Sequence, residues 1–186
     1  VPLVADDAKL TLAGSMVDIV GMLGFGSRGE IKLNAATPLA VERDAFGQVR
    51  IQSEGDLRLQ QANLFSPGDT TLAAAQIYGS GNVSVGMHTT LNQWGVRQIE
   101  LDPARALTIE RMGSALPAMP YSVFGAMEFS AATINQGGVL RAPLGSITLG
   151  SNSNGYTSVV NLLPGSITSV SANGLVMPYG GTVDGL

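Results

Sequence analysis

Apolar residues along this chain arrive in short pulses that alternate with polar ones. Gly29-Glu30-Ile31-Lys32-Leu33, Gly47-Gln48-Val49-Arg50-Ile51, Gly55-Asp56-Leu57-Arg58-Leu59, Gly81-Asn82-Val83-Ser84-Val85 and Gly145-Ser146-Ile147-Thr148-Leu149 share the form Gly-x-apolar-x-apolar. Ala8-Lys9-Leu10-Thr11-Leu12 and Arg105-Ala106-Leu107-Thr108-Ile109 keep the alternation without the leading glycine. Period two sends successive side chains to opposite faces, so each pulse predicts a short strand with one buried side. A longer spacing also repeats. Leu59, Ala62 and Leu64 are placed like Leu72, Ala75 and Ile77, and like Phe129, Ala132 and Ile134. A small residue between two large ones suits a strand that turns a corner close to the core. Helix is not expected. Gly and β-branched residues interrupt every window, and Leu72-Ala73-Ala74-Ala75 is too short to hold a helix alone.

Recurring strands that each bury one side predict an all-β solenoid, with coils of roughly 20–30 residues stacked on one another. That gives on the order of seven coils and, at about 4.8 Å per stacked strand, a rod of roughly 35 Å. The whole of 1–186 is expected to be one segment. Excursions are expected near 86–103, which holds the lone Trp94, and near 113–120, with Pro117 and Pro120. Ser151–Gly155 is polar and turn-rich.

Composition sharpens this picture. Hydrophobic residues make up 45% of the chain and charged ones only 13%, against about 25% charged in ordinary domains. No run of roughly 20 apolar residues accompanies the low charge, so a membrane-spanning helix is not expected. The 24 glycines fit many short strands and turns. Net charge is −4 with no Lys/Arg cluster, which disfavours nucleic acid as a partner. There is no cysteine; this is neutral on compartment, though it suits a chain that crosses the periplasm unfolded. Val1-Pro2-Leu3-Val4-Ala5-Asp6-Asp7 lacks the basic start and apolar run of a signal peptide. Together with the missing initial Met, this leads us to expect a piece of a longer protein.

The C-terminal part carries longer motifs. Ile134-Asn135-Gln136-Gly137-Gly138-Val139-Leu140-Arg141-Ala142-Pro143-Leu144-Gly145-Ser146-Ile147-Thr148-Leu149-Gly150 resembles a signature of filamentous-haemagglutinin-like exoproteins. So does Leu163-Pro164-Gly165-Ser166-Ile167-Thr168-Ser169-Val170-Ser171-Ala172-Asn173-Gly174-Leu175, followed by Val176-Met177-Pro178-Tyr179-Gly180-Gly181. Thr71-Leu72-Ala73-Ala74-Ala75-Gln76-Ile77-Tyr78 and Leu107-Thr108-Ile109-Glu110-Arg111 are similar to the same family's repeats, so the resemblance covers roughly residues 55 to 186. It implies a single-stranded right-handed parallel β-helix. It also implies an internal shaft segment of a two-partner-secretion passenger, secreted to the bacterial cell surface through an outer-membrane β-barrel transporter. The family's roles are adhesion, biofilm cohesion and presentation of a distal toxin or binding tip. The implied partners are that transporter, a surface glycan or protein receptor, and neighbouring coils of the same chain. The resemblance carries no catalytic residue onto any position here.

Candidate chemistry is sparse. Gly24-Phe25-Gly26-Ser27-Arg28-Gly29 matches the glycine pattern of a dinucleotide loop. That chemistry needs a helix directly afterwards to hold the pyrophosphate, and a strand pattern follows instead. His88 is the only histidine, so neither a zinc site nor a Ser-His-Asp triad has its usual residues, and no Gly-x-Ser-x-Gly elbow accompanies it. Asp6/Asp7, Glu100/Asp102 and Asp56/Asp69 are the carboxylates to consider for a β-helix polysaccharide lyase or glycosidase, which needs two carboxyls about 5–10 Å apart. Aromatics at 5% and no Lys/Arg gathering favour solvated carboxylates. Asn82-Val83-Ser84 is a formal glycosylation sequon, and Ser151–Gly155 offers oxygens without a carboxylate for calcium. Among the aromatics, Trp94 and Tyr121 are the candidates for contact with a glycan or protein partner. The expectation is thus a structural, adhesive module with no enzymatic activity, cofactor or metal. The alternatives are a polysaccharide-cleaving enzyme and a filament that self-assembles through its coil ends.

Overall fold

The computed structural model describes residues 10–12, 15–25, 31–33, 49–65, 68–86, 88–91, 97–101, 105–150 and 157–175. All regular structure among them is β, as the alternation predicts, and no helix is long and apolar enough to cross a membrane. In chain order the strands begin with β1 (Leu10–Leu12), β2 (Val17–Phe25), β3 (Ile31–Leu33), β4 (Val49–Gln52), β5 (Asp56–Phe65) and β6 (Thr70–Ala74). They continue with β7 (Gln76–Ser80), β8 (Asn82–Gly86), β9 (His88–Leu91), β10 (Arg97–Leu101), β11 (Ala106–Arg111) and β12 (Ala126–Ser130). The last five are β13 (Thr133–Gln136), β14 (Val139–Arg141), β15 (Ser146–Leu149), β16 (Val159–Leu162) and β17 (Ile167–Ser169).

Strand pairing sorts these elements into three parallel ladders. Ladder one is the six-stranded sheet β1-β4-β6-β11-β13-β16. Ladder two runs from 17–20 of β2 through 56–60 of β5, then β7, β14 and β17. Ladder three runs from 22–24 of β2 through 63–65 of β5, then β8, β12 and β15. The chain visits them in a fixed order: β4 to the two halves of β5, β6 to β7 to β8, and β13 to β14 to β15. Two elements depart from the parallel rule. β3 lies antiparallel on 23–25 of β2, and β9 pairs antiparallel only with β10. The β9–β10 hairpin occupies the region expected as an excursion at 86–103. The second excursion, expected at 113–120, is a strand-free connection between β11 and β12.

Corners form where the sequence can tolerate unusual backbone. The long strands β2 and β5 pass from ladder two to ladder three at Gly21 (φ 78°) and Gln61 (φ 43°), and Gly81 (φ 68°) separates β7 from β8 at the same corner. Left-handed φ is cheap for Gly and costly for Gln. The large-small-large triplets do mark corners, but three different ones. Leu59/Ala62/Leu64 spans the step from ladder two to three, Leu72/Ala75/Ile77 from one to two, and Phe129/Ala132/Ile134 from three to one.

Inward residues stack into one hydrophobic cluster. Register places Ile51, Leu72 and Ile109 in one column, Leu57, Ile77 and Leu140 in another, and Val85, Phe129 and Leu149 in a third. Eight of the eleven largest fully buried side chains are Leu or Ile from ladders one and two, with Leu64, Met127 and Phe129 from ladder three. Burying one such side chain stabilises by about 1.5–3 kcal/mol. Gln136 continues the inward column of ladder one, yet its amide is satisfied. Its Nε2 donates to the carbonyls of Gly138 (3.3 Å) and Ile167 (3.0 Å) and to Thr168 Oγ1 (3.1 Å), while its Oε1 accepts from Gly138 N (3.0 Å). Beyond it the column opens to solvent: in β16, Val160 is 40% and Leu162 65% exposed.

Candidate functional site

With the inward faces committed to the core, chemistry is confined to the outward side chains, and ladders two and three differ there. On ladder two the outward residues Asp18, Arg58, Tyr78 and Arg141 stand in one column, with Asp56 beside Gln76. Arg58 holds Asp18 through both Nε (3.2 Å) and Nη2, and Gln60 Nε2 donates to the same carboxylate (2.9 and 2.8 Å). The Arg58 hydrogen bonds hold the Asp18 carboxyl below its usual range, against the opposing effect of desolvation. Burial, reinforced by Asp56, pushes the Tyr78 hydroxyl up, so it stays neutral. Further along, Gln76 bridges two charges. Its Nε2 donates to Asp56 Oδ2 (3.1 Å), and its Oε1 accepts from Arg141 Nη1 (3.1 Å).

This part of ladder two is covered. β14 pairs directly with β7, and the strand-free 112–125 segment that leaves β11 does not join the ladder. The segment is tied down from beneath. Arg141 Nη1 donates to the carbonyls of Pro117 (3.0 Å) and Ala118 (3.1 Å), and Gln76 Nε2 donates to that of Ala118 (2.9 Å). Ser122 Oγ donates to Gly79 O (2.7 Å), and Phe124 N donates to Pro143 O (2.9 Å). Gln76 and Arg141 are therefore buried polar residues whose partners are supplied by the loop. The loop in turn displays Leu116, Tyr121 and Phe124, which are 56%, 81% and 64% exposed.

Ladder three has the opposite character. Asn63, Ser84, Glu128 and Thr148 form one outward column, and Asn82, Ala126 and Ser146 form the next. Between them runs a groove of about 410 Å³, also lined by Gln61. The small Ala126 side chain, flanked by Asn82 and Ser146, makes the dip. The corner leading into this face is built for close approach of backbones. A Cβ on Gly125 would lie 2.5 Å from Gly79 O, and one on Gly145 would fall on Gly125 O. The residues just before these glycines, Phe124 (φ 59°) and Leu144 (φ 57°), take the left-handed conformation and are exposed. That conformation costs a bulky residue on the order of 1–2 kcal/mol.

Of the carboxylate pairs weighed from the sequence, Asp56/Asp69 lies within the described residues, and its two members are held at different ladders. Asp56 lies on ladder two, whereas Asp69 precedes ladder one and accepts from Ala106 N (2.9 Å). Glu100 belongs to β10, in the separate hairpin with His88 of β9. Asp6, Asp7, Asp102, Trp94 and Ser151–Gly155 lie outside the described residues. Gly24 and Phe25 end β2, and β3 comes next, so no helix follows the glycine-rich stretch. No group of three or more potential metal-ligating side chains occurs among the described residues. Tyr121 lies on the anchored loop and is exposed. The Asn82 of the sequon lines the ladder-three groove. Sequence reasoning missed that groove, although Gly125-Ala126-Met127-Glu128-Phe129 has the same form as the Gly81 and Gly145 units and would have completed the set. Comparison with protein-family models, with curated proteins and with solved structures finds no match.

Proposed function

We propose that the three ladders are the faces of a right-handed parallel β-helix. In this reading the chain is a shaft segment of a large secreted bacterial surface exoprotein that mediates adhesion or biofilm cohesion. The observation that carries this reading is the recurring order in which the chain visits the ladders, skipped only on ladder two between β11 and β12, with apolar residues stacked in register inside. Such an arrangement adds length by adding near-identical tiers, each stabilised mainly by its neighbours. The hand follows from the strong right-handed preference of crossovers between parallel strands. The resemblance of residues 55–186 to filamentous-haemagglutinin-like passengers supports the cellular role and the transporter that such passengers use. Loops held rigidly on a stiff scaffold, as 112–125 is held by Arg141 and Gln76, supply contact surfaces along the shaft.

The test is surface display in a two-partner-secretion host. Proline at Leu59 or Leu149 removes a ladder donor inside a strand. Each is expected to block antibody access to an epitope tag placed after residue 186, while the unaltered chain shows the tag. Equal display of all three, or retention of the unaltered chain inside the cell, overturns the reading. A self-assembling filament is a second reading, favoured by the exposed Val160 and Leu162 on the β16 edge. Concentration-dependent polymerisation of the purified chain supports it, and a monomer at all concentrations removes it.

A further inference from the structure

We propose that the outer face of ladder three binds a neutral oligosaccharide in the groove centred on Ala126. This deepens the shaft reading by naming a ligand class, and it rests on that reading only for where the ligand is met. The outward side chains on the other two ladders are largely engaged with each other. On ladder one Arg50 pairs with Glu110 (2.9 Å) and bonds Gln52 (3.0 Å), and Asn161 bonds Asn135 (2.8 Å). On ladder two Asp18, Asp56, Gln76 and Arg141 are engaged as described. In the ladder-three groove, Gln61, Asn82, Ser84, Glu128, Ser146 and Thr148 make no side-chain bond to any other described residue.

The groove's chemistry selects the ligand. Amides and hydroxyls both donate and accept, which matches sugar hydroxyls. The Glu128 carboxylate can accept from two neighbouring hydroxyls of one ring in charge-assisted bonds. It is also the only charged side chain among the groove's described lining residues. With no Lys or Arg there to offset it, a uronate or sulfated glycan is repelled. Rows of polar side chains recur at the strand spacing of about 4.8 Å, close to the length of one hexopyranose unit, so a chain crossing the strands meets equivalent partners at successive residues. Phe124 and Leu144, two residues before the groove residues Ala126 and Ser146, are exposed and offer apolar surface for the C–H face of a sugar that extends past the groove's end.

The experiment titrates the purified 186-residue chain with cellotetraose, maltotetraose, chitotetraose and tetragalacturonate, followed by calorimetry and by amide chemical shifts of ladder three. At least one neutral tetrasaccharide is expected to bind with a Kd in the high-micromolar to low-millimolar range, with shifts centred on 126–128 and 146–148. Tetragalacturonate is expected to bind at least tenfold more weakly. Glu128→Gln should weaken the neutral ligand about tenfold, and Ala126→Trp, which fills the dip, should abolish binding. A melting curve unchanged by either substitution confirms that the fold is intact. Glu128→Gln serves alone should Ala126→Trp fail to fold. Absence of binding by all three neutral sugars, preference for tetragalacturonate, or unchanged affinity in both variants overturns the proposal. Surface display of the unaltered chain separates the two readings. Normal display with no neutral-sugar binding by that chain sinks this inference alone, and failed display of it with sugar binding intact sinks the shaft alone.

Discussion

Ladders two and three share one chain, one strand direction and one core, yet their outward faces have been put to different uses. Ladder two carries the buried polar residues Gln76 and Arg141 and is roofed by the 112–125 loop, whose carbonyls complete their hydrogen bonds. Ladder three carries short polar side chains around Ala126 and stays open. Because inward packing fixes the fold, outward residues are free to vary. Long, charged side chains at one face recruit a covering segment. Mostly short, uncharged ones around Ala126 at the next leave a recess. The contrast teaches that on stacked strands the side chain's length and charge, and not the strand itself, decide whether a face becomes structural or stays available.

The comparison breaks first if the two inner faces are not equally essential. Phe129→Ala on ladder three and Leu57→Ala on ladder two, both at residues with no exposure, are each expected to cost about 3–5 kcal/mol in urea denaturation. A loss under 1 kcal/mol at either site would mean that its ladder does not enclose the shared core. Next comes Arg141→Met, which leaves the Pro117 carbonyl and the Gln76 amide oxygen without their donor and the Ala118 carbonyl with only Gln76 Nε2. The expected loss is about 2–3 kcal/mol, together with faster chymotryptic cleavage at Tyr121 as the loop lifts. On the open face, Thr148→Val touches no such network and should stay within about 0.5 kcal/mol of the starting chain. Gly125→Ala probes the corner between the faces. Its new methyl meets the Gly79 carbonyl at 2.5 Å, and strain of about 1–3 kcal/mol should register in the melting temperature.

The smallest effect is electrostatic. Asp18 titrates below its ordinary value of 3.8 because Arg58 hydrogen-bonds the ionised form. Its contribution is therefore fully present above pH 3.8 and is lost as pH falls through the lower folded value. The pair is solvent-accessible, with side-chain exposures of 37% for Arg58 and 33% for Asp18, so the contribution is small and screened by salt. Denaturation midpoints should fall slightly more steeply below pH 3.8 for the original chain than for Arg58→Met, and the difference should shrink in 1 M salt. Parallel curves in low salt would show that the pair is not formed.

Much of this architecture was legible from alternation alone, and the limits of that reading have a physical origin. The unit Gly-x-apolar-x-apolar does specify a strand with one buried side, but it carries no address. The Gly47 unit leads into ladder one, the Gly55 unit into ladder two, the Gly81 and Gly145 units into ladder three, and the Gly29 unit into the antiparallel β3. Period two reports which side of a strand is wet; it does not report which strand lies alongside. The antiparallel β9–β10 hairpin was visible only as a break in the pattern, since its strands are short and ordinary. The candidate groove was illegible for a related reason. Its residues come from four strands, and nothing in Asn63, Ser84, Glu128 or Thr148 taken singly distinguishes them from any solvated position. The exposed loop position of Tyr121 was legible because an aromatic beside prolines in a strand-poor stretch stands out. Arg141 was read inside a long motif without its role, because a buried guanidinium is explained only by the loop that covers it.

The direct pairing of β14 with β7 has a mechanical consequence. Between β6 and β13 ladder one holds β11, and between β8 and β15 ladder three holds β12, but ladder two holds no strand between β7 and β14. One wall of the column is thus a course short, by a single strand spacing of about 4.8 Å. A three-sided stack with one course missing cannot remain plumb unless its other sides splay; it leans toward the shorter side. In the proposed helix the bend would fall where the chain loops out between β11 and β12.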